Sequence, residues 1–212
     1  MNKNLYFIIL LLAAALVAVS IRFSMVNKEK PADGVSSAEN VIENIMTRVS
    51  VRRDSGEPVP DSIRTAILKA GMAAPTAANQ QAWEFVVITD RAIKDSISNN
   101  FQYAKMVKNS DFAVVVCGNM DLLFAGDRRE AGNWLLDCSC ASENMLLAAH
   151  AYGVGGVWCG VYPEEDRMAF VAKVLNLPSN LVPVNILSFG YPEAASTPKD
   201  KWDPAKVHYN AF

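Results

Sequence analysis

The sequence has little net charge, little histidine and no internal repeat. Its 212 residues carry 20 Lys and Arg against 22 Asp and Glu, a formal charge of −2. This balance supplies no positive field for a phosphate backbone, so nucleic acid is not an expected partner. With 11 Gly, 10 Pro and no repeat, collagen, solenoids and low-complexity disorder are excluded. A compact protein of one globular domain remains.

Motifs for hydrolysis and metal binding are also missing. There is no Walker loop and no G-x-S-x-G elbow, and residues 153–156 (GVGG) form only an incomplete dinucleotide fingerprint. The two histidines, His150 and His208, lie far apart in the sequence. Cys138 and Cys140 are two apart on a predicted helix and point to different faces, so no metal site is expected. The cysteines are expected to fill the interior, unless an exported chain oxidises a close pair.

One long apolar run stands near the N-terminus. Leu5–Ile21 has 17 residues, of which only Ser20 is not hydrophobic, between Lys3 and Arg22. This order is typical of a secretory signal, with cleavage after Ser20, or of an uncleaved anchor. As a helix the run would span about 25 Å, slightly less than a bilayer core. We therefore expect an exported protein, or one attached to a membrane through residues 5–21. The side of the membrane stays open, and a helix buried in the domain is the alternative.

Composition divides the chain into three parts. These are a signal peptide or membrane anchor at 1–22, a polar linker at 23–37 and a folded domain at 38–212. In the domain, apolar periodicity and capping signals predict four strands and about five helices. The strands are expected at 84–89, 112–117, 154–161 and 184–189. The clearest helices are one that begins at Asp61 and ends before Pro75, and two at 134–152 and 164–175. The pattern predicts an α+β fold.

Two clusters of polar residues suggest a ligand site. The first follows the first helix and consists of residues spaced two apart, which an extended chain turns to one side: Arg48, Ser50 and Arg52. Such a set suits a phosphate, although the triplet alone is more typical of a solvated basic turn. The second cluster, in residues 73–83 (AAPTAANQQAW), offers short polar side chains among alanines that would let a planar ring approach: Thr76, Asn79 and Gln81.

With the later stretches of the chain, these clusters resemble the FMN-dependent nitroreductase family. The resemblance rests on R-x-S-x-R, AGMAAPTAANQQAWEFVVITD, WLLDCSCASENMLLAAHAYGVGGVWCGVYP, FGYP and KVHYN, in that order over about residues 40–212. It implies a three-layer α/β/α fold with a central, mostly antiparallel sheet of four to five strands flanked by helices. It also implies an obligate homodimer with FMN at the subunit interface. Two departures from the family pattern are Lys201, in place of a usual arginine, and Ala82, in place of a common proline.

The resemblance further implies which residues surround FMN. The phosphate and ribityl chain would be held by Arg48, Ser50, Arg52 and Lys201. The neighbouring subunit would supply Pro75, Thr76 and Asn79. Four residues would lie along the flavin: Gly155, Gly156, Val157 and Trp158. The glycines let a ligand plane approach the backbone, but a tight strand entry explains them equally. Three aromatic residues would cover the substrate face, unless they belong to the core: Phe101, Tyr103 and Phe124.

The implied activity is ping-pong hydride transfer from NADH or NADPH through FMN N5 to a nitroaromatic, quinone or similar acceptor. The cofactor then carries the chemistry, and no side chain is assigned as catalytic. Three alternatives stay open. They are other flavin chemistry on the same scaffold, such as reductive dehalogenation or flavin cleavage, a membrane-tethered flavin relay without a dedicated substrate, and a partner-binding domain that retains no flavin.

Overall fold

The computed structural model of the protein describes residues 37–123, 125 and 132–212. The chain divides into two compact units, Met1–Val41 and Ile42–Phe212. Of the first unit only Ser37–Val41 is described, and these residues begin a helix. The apolar run and most of the predicted linker therefore lie outside the described residues, as does Phe124.

The prediction of an exported or membrane-anchored protein is corrected by the structure. Across 37–123, 125 and 132–212, no helix combines the length and apolar character that crossing a bilayer requires. The longest described helix, Asn133–Ala151, has 19 residues, and it packs large apolar side chains such as Trp134, Met145 and Leu146 into the core of the domain. Membrane attachment is therefore not retained.

Five α-helices and four β-strands make up the described fold. The helices are α1 (Ser37–Thr47), α2 (Asp61–Met72), α3 (Arg91–Asn100), α4 (Asn133–Ala151) and α5 (Glu165–Leu175). The strands are β1 (Trp83–Ile88), β2 (Phe112–Asn119), β3 (Gly155–Gly160) and β4 (Leu181–Gly190). Short 3-10 turns occur at Ala77–Asn79, Lys105–Asn109, Met120–Leu122 and Pro204–Lys206. The predicted α+β class and element count are confirmed.

The four strands form one antiparallel sheet in the order β1-β2-β4-β3. Helices cover both faces, which is why β2 is a nearly continuous apolar run rather than an alternating one. Val114 and Val116 pack with α2 and α4, whereas Ala113 and Val115 pack with α3 and α5. The predicted three-layer α/β/α arrangement is therefore confirmed, with β3 as an edge strand.

Gly118, near the end of β2, lies directly under the Trp134 ring. A Cβ at this position would overlap that ring, and Trp134 is fully buried in a densely packed core. We expect Gly118→Ala to lower the free energy of unfolding by about 1–3 kcal/mol, measured by urea denaturation. Gly160→Ala in β3 is the control, because the same methyl group would meet nothing within 4 Å. Equal stability of the two variants would contradict this account of Gly118.

Candidate functional site

A cavity of about 740 Å³, here called the basic cavity, lies beside the end of α1. Its wall gathers all four residues that the sequence assigned to a phosphate, Arg48, Ser50, Arg52 and Lys201. It also contains a further cation and two hydroxyls, from Lys199, Ser196 and Thr197. The one acidic residue among its described lining is Glu143. Four cations against one carboxylate favour an anion, and guanidinium groups bind phosphate in a bidentate manner.

Arg48 is held in this wall by α4. Its Nε lies 3.4 Å from Glu143 Oε1, and its side chain is only 19% exposed. The preceding residue, Thr47, donates its single hydroxyl hydrogen to the Glu43 carbonyl at 2.6 Å. The 2.9 Å contact between Thr47 Oγ1 and His150 Nε2 is therefore donated by the imidazole. Burial, and secondly the charge of Arg48, lower the pKa of His150, so the ring is neutral at pH 7.

Residues 50–55 run from the outer edge of β3 across one end of the sheet. Ser50 pairs with Gly156 in a parallel bridge, and the Val51 N–H donates to the Gly156 carbonyl at 3.1 Å. Farther along, Asp54 pairs with Pro192 in an antiparallel bridge. Ser50 and Arg52 are thus mounted on a segment paired to the sheet, and Arg48 lies just before it.

The Asp54 carboxylate fastens this segment to the ends of the central strands. It accepts the N–H of Gly56 at 2.8 Å and that of Asp111 at 3.2 Å. It also lies against Gly190 so closely that a Cβ there would overlap it. Burial raises the pKa of Asp54, while the two N–H groups act to lower it. The contribution of Asp54 to stability is therefore present at low pH and lost as the pH rises through its folded-state pKa.

The glycines of β3 are explained by packing within the chain. A Cβ on Gly155 would lie 2.6 Å from the Cβ of Val51, and one on Gly156 would lie 2.7 Å from Leu146 Cδ2. The tight strand entry considered above therefore accounts for both. Beyond them Val157 is buried and Trp158 is 37% exposed. The described residues pair with the outer edge of β3 only at Gly156, which leaves backbone groups farther along that edge available to a ligand.

A second cavity of about 210 Å³ lies at the far end of β3. Two of the predicted lid residues line it: Phe101 and Tyr103. Phe101 is only 7% exposed and packs edge to face against Phe170 at a centroid distance of 5.4 Å. It therefore packs in the core, which was the alternative that the sequence left open. Tyr103 is 70% exposed.

The second cavity also contains residues that the sequence interpretation missed. They are Cys159 and Gly160 at the end of β3 and Arg167 on α5. Gly160 was within reach of the sequence, since it lies on the strand predicted at 154–161, although the residues assigned to the flavin ended at Trp158. Arg167 carries no sequence signal, because only the packing of α5 beside β3 brings it to the cavity.

The loop with Pro75, Thr76 and Asn79 forms a strained turn. Three of its residues have left-handed backbone angles without being glycine: Ala78, Asn79 and Gln81, with φ of 50°, 56° and 53°. Such conformations persist only where surrounding contacts hold them. Both carboxylate oxygens of the buried Asp137 accept the Ala77 N–H, at 3.1 and 3.2 Å. Thr76 Oγ1 accepts the Gln81 N–H at 3.2 Å. The loop residues line neither of the two cavities.

Three of the four cysteines lie in the interior, and Cys140 is exposed. Burial raises the pKa of Cys117 to about 12 and that of Cys159 to about 11, so these thiols stay protonated at neutral pH. None of the four is in a disulfide. Within the described ranges, no group of three or more His, Cys, Asp or Glu is placed to hold a metal ion.

Fold and site define a three-layer α/β/α protein with a cavity at the edge of its sheet that is lined by four cations and, among its described residues, one carboxylate. A model of the Nitroreductase family matches residues 45–191. A relative in Methanothermobacter thermautotrophicus, named NADH dehydrogenase/NAD(P)H nitroreductase, is 36% identical over 176 residues, 83% of this chain and 90% of the relative. The chain belongs to the nitroreductase family.

Two solved structures are similar over nearly their whole length. One, from Bacteroides thetaiotaomicron, carries the same name as the relative above. It is 41% identical, with a TM-score of 0.76 over 82% of this chain and 98% of that one. The other is a nitroreductase from Desulfovibrio desulfuricans in complex with FMN. It is 25% identical, with a TM-score of 0.69 over 81% of this chain and 97% of that one.

The Asp137 carboxylate is expected to stabilise the strained loop. Asp137→Ala removes the acceptor of a part-buried N–H, which should lower the free energy of unfolding by about 1–3 kcal/mol and expose the Ala77 amide to hydrogen exchange. Ser139→Ala, two residues along α4, is the control, because Ser139 Oγ bonds only the Leu135 carbonyl of its own helix among the described contacts. If the Ala77 amide stays protected in Asp137→Ala, the loop does not depend on this carboxylate.

Proposed function

We propose that the protein uses FMN to transfer hydride from NADH or NADPH to a small oxidised acceptor, such as a nitroaromatic or a quinone. The observation that carries the proposal is the cavity shared by Arg48, Ser50, Arg52 and Lys201. The broader enzyme class, an FMN-dependent NAD(P)H oxidoreductase, is confirmed by the family and by its named members. The order of steps and the acceptor are parts of the proposal.

The residues of the basic cavity fit the phosphate end of FMN. Arg48 and Arg52 provide fixed forks of N–H donors, and Lys199 and Lys201 add compact positive charges. Lys201 in place of an arginine supplies a point charge rather than a second bidentate contact. The volume of about 740 Å³ lies within the range of about 300–1,000 Å³ usual for small-molecule sites.

The outer edge of β3 fits the rest of the cofactor. It leads from Gly156, beside the basic cavity, to Gly160, beside the second cavity, a distance of about 13 Å for four residues of strand. Free backbone groups along this edge can hydrogen-bond a flavin ring without any particular side chain. When bound, FMN supplies the hydride chemistry at N5, while the chain binds and orients it and holds the acceptor. Tyr103 offers an aromatic surface on which a planar acceptor can stack.

The proposal includes a homodimer in which a second subunit completes the site. Pro75, Thr76 and Asn79 line neither cavity of their own chain, which is consistent with a role beside the partner's FMN. On α1 the apolar side chains of Ile45 and Met46 are exposed and also line the basic cavity. A partner that buries them would therefore close that cavity. Other large apolar side chains are exposed on α4 and in the C-terminal tail: Leu136, Trp202, Tyr209 and Phe212. Where such side chains form one patch, they are typical of an interface.

Arg52→Ala should weaken FMN binding by about 10- to 100-fold, because a charge-assisted hydrogen bond is worth about 1.5–3 kcal/mol. Quenching of flavin fluorescence on titration measures the affinity, and riboflavin, which has no phosphate, should be affected much less. Arg53→Ala is the matched control, since Arg53 is the adjacent arginine and does not line the basic cavity. Equal weakening by both variants would indicate a general charge effect. A wild-type preparation that takes up no FMN would overturn the proposed function.

Sedimentation equilibrium should give about twice the 23.1 kDa of the chain. Ile45→Glu places a charge on the exposed apolar side of α1, and we expect it to shift the protein toward monomers and to lower FMN affinity in parallel. Val87→Glu, an exposed apolar position on the opposite edge strand β1, should leave both unchanged. A monomeric Ile45→Glu protein that still binds FMN with wild-type affinity would refute a shared site.

A further inference from the structure

The cavity at the end of β3 carries one kind of charge. Of its eight described lining residues, Arg167 is the single basic one, and there is no Asp or Glu among these eight. The rest are aromatic, small or amide side chains, with Phe101 and Tyr103 on one side and Asn100 and Gln102 next to them. An anionic ligand would meet one cation and no repelling carboxylate in this wall.

Arg167 keeps most of its donors available. Its Nη1 donates to the Gly160 carbonyl at 3.4 Å, a long contact that uses one of five N–H groups. Among the described residues, no carboxylate lies within 4.0 Å of its guanidinium. The preceding acidic residues, Glu164 to Asp166, are exposed at the start of α5, where they suit the positive end of the helix dipole. An unpaired guanidinium at a cavity wall is suited to bind a carboxylate through two parallel hydrogen bonds.

The size of the cavity limits what can bind there. A protein cavity of about 150 Å³ is large enough for benzene. The volume of about 210 Å³ therefore fits one substituted ring and excludes a fused system such as the flavin. Phe101 forms part of the floor through its packing on Phe170, and Tyr103 stands exposed at the opening.

We propose that Arg167 determines substrate choice by binding the anionic group of a small planar acceptor, of the class of ring-substituted carboxylates. The inference rests on the proposed function, since it places the acceptor beside the strand edge along which FMN is proposed to lie. The ring stacks beside Tyr103, its reducible substituent faces β3, and its carboxylate pairs with the guanidinium. Neutral rings of the same shape bind more weakly because they leave Arg167 without this partner.

The test compares benzoate with benzamide, two probes of the same shape that differ in charge. Binding to the protein with its FMN is measured by isothermal titration calorimetry. We expect wild type to bind benzoate about 10-fold more tightly than benzamide, and Arg167→Gln to abolish this preference. Arg167→Lys should restore part of it. Lys173→Gln removes the same charge from an exposed position of α5 outside the cavity, so it should leave the preference intact.

Wild-type binding without a preference for benzoate, or an equal loss in Arg167→Gln and Lys173→Gln, would overturn the role of Arg167. Turnover of 4-nitrobenzoate and 4-nitrobenzamide separates this result from the proposed function. If both are reduced with equal kcat/KM and benzoate shows no preference, the oxidoreductase stands and the anion site fails. If neither is reduced while benzoate binding depends on Arg167, the anion site stands and the proposed acceptor chemistry fails.

Discussion

The docking of residues 50–55 onto the edge of the sheet is the contact on which the rest of the basic cavity depends. One end pairs with β3 at Gly156 and the other with the chain just after β4, where Ser55 donates to the Tyr191 carbonyl at 2.8 Å. The same pairing therefore positions two chain segments that line the basic cavity. One carries Arg48 and Arg52, and the other follows β4 and leads to Lys201. It requires glycine at two positions, since Val51 occupies the space beside Gly155 and the Asp54 carboxylate that beside Gly190.

This arrangement places charged groups where water is scarce. Burial raises the pKa of Asp54 and lowers that of Lys94, whose Nζ donates to the carbonyls of Ser110 and Asp111 at 2.6 and 3.0 Å. Each charge is met by backbone groups rather than by a close ion pair. Buried charges are tolerated when hydrogen bonds replace their hydration. The fold thus accepts an electrostatic cost at the ends of the central strands, where Asp54 fastens residues 50–55.

Short-range sequence patterns predicted the features that depend on neighbouring residues, namely the strands, the helices and the basic triplet. Strands and helices followed from β-branched runs and apolar periodicity, and the triplet at Arg48 from the alternation of an extended chain. Lys201 lies about 150 residues farther along, and only the family resemblance linked it to that triplet. Phe101 was ambiguous because an aromatic residue suits a lid and a core equally; it packs on Phe170 in the core and also lines the second cavity, so its role as a lid residue stays a prediction. The predicted localisation, export or membrane attachment, was wrong. It was inferred from the apolar run at residues 5–21, which lies outside the described part of the chain.

In the proposed function the two cavities divide the work of recognition, since the basic cavity holds the cofactor phosphate and the second cavity selects the acceptor. Four cations around one carboxylate form a strong field for a phosphate, but such a field distinguishes poorly between one phosphate ester and another. Under this proposal, selection comes from the shorter-range contacts farther along β3, where the cavity is small and has one cation among its described lining residues. Because about 13 Å of strand separates Gly156 from Gly160, we expect a change on α5 to alter acceptor choice without disturbing the residues proposed to hold the phosphate. On this proposal the scaffold can change its substrate while it keeps its cofactor.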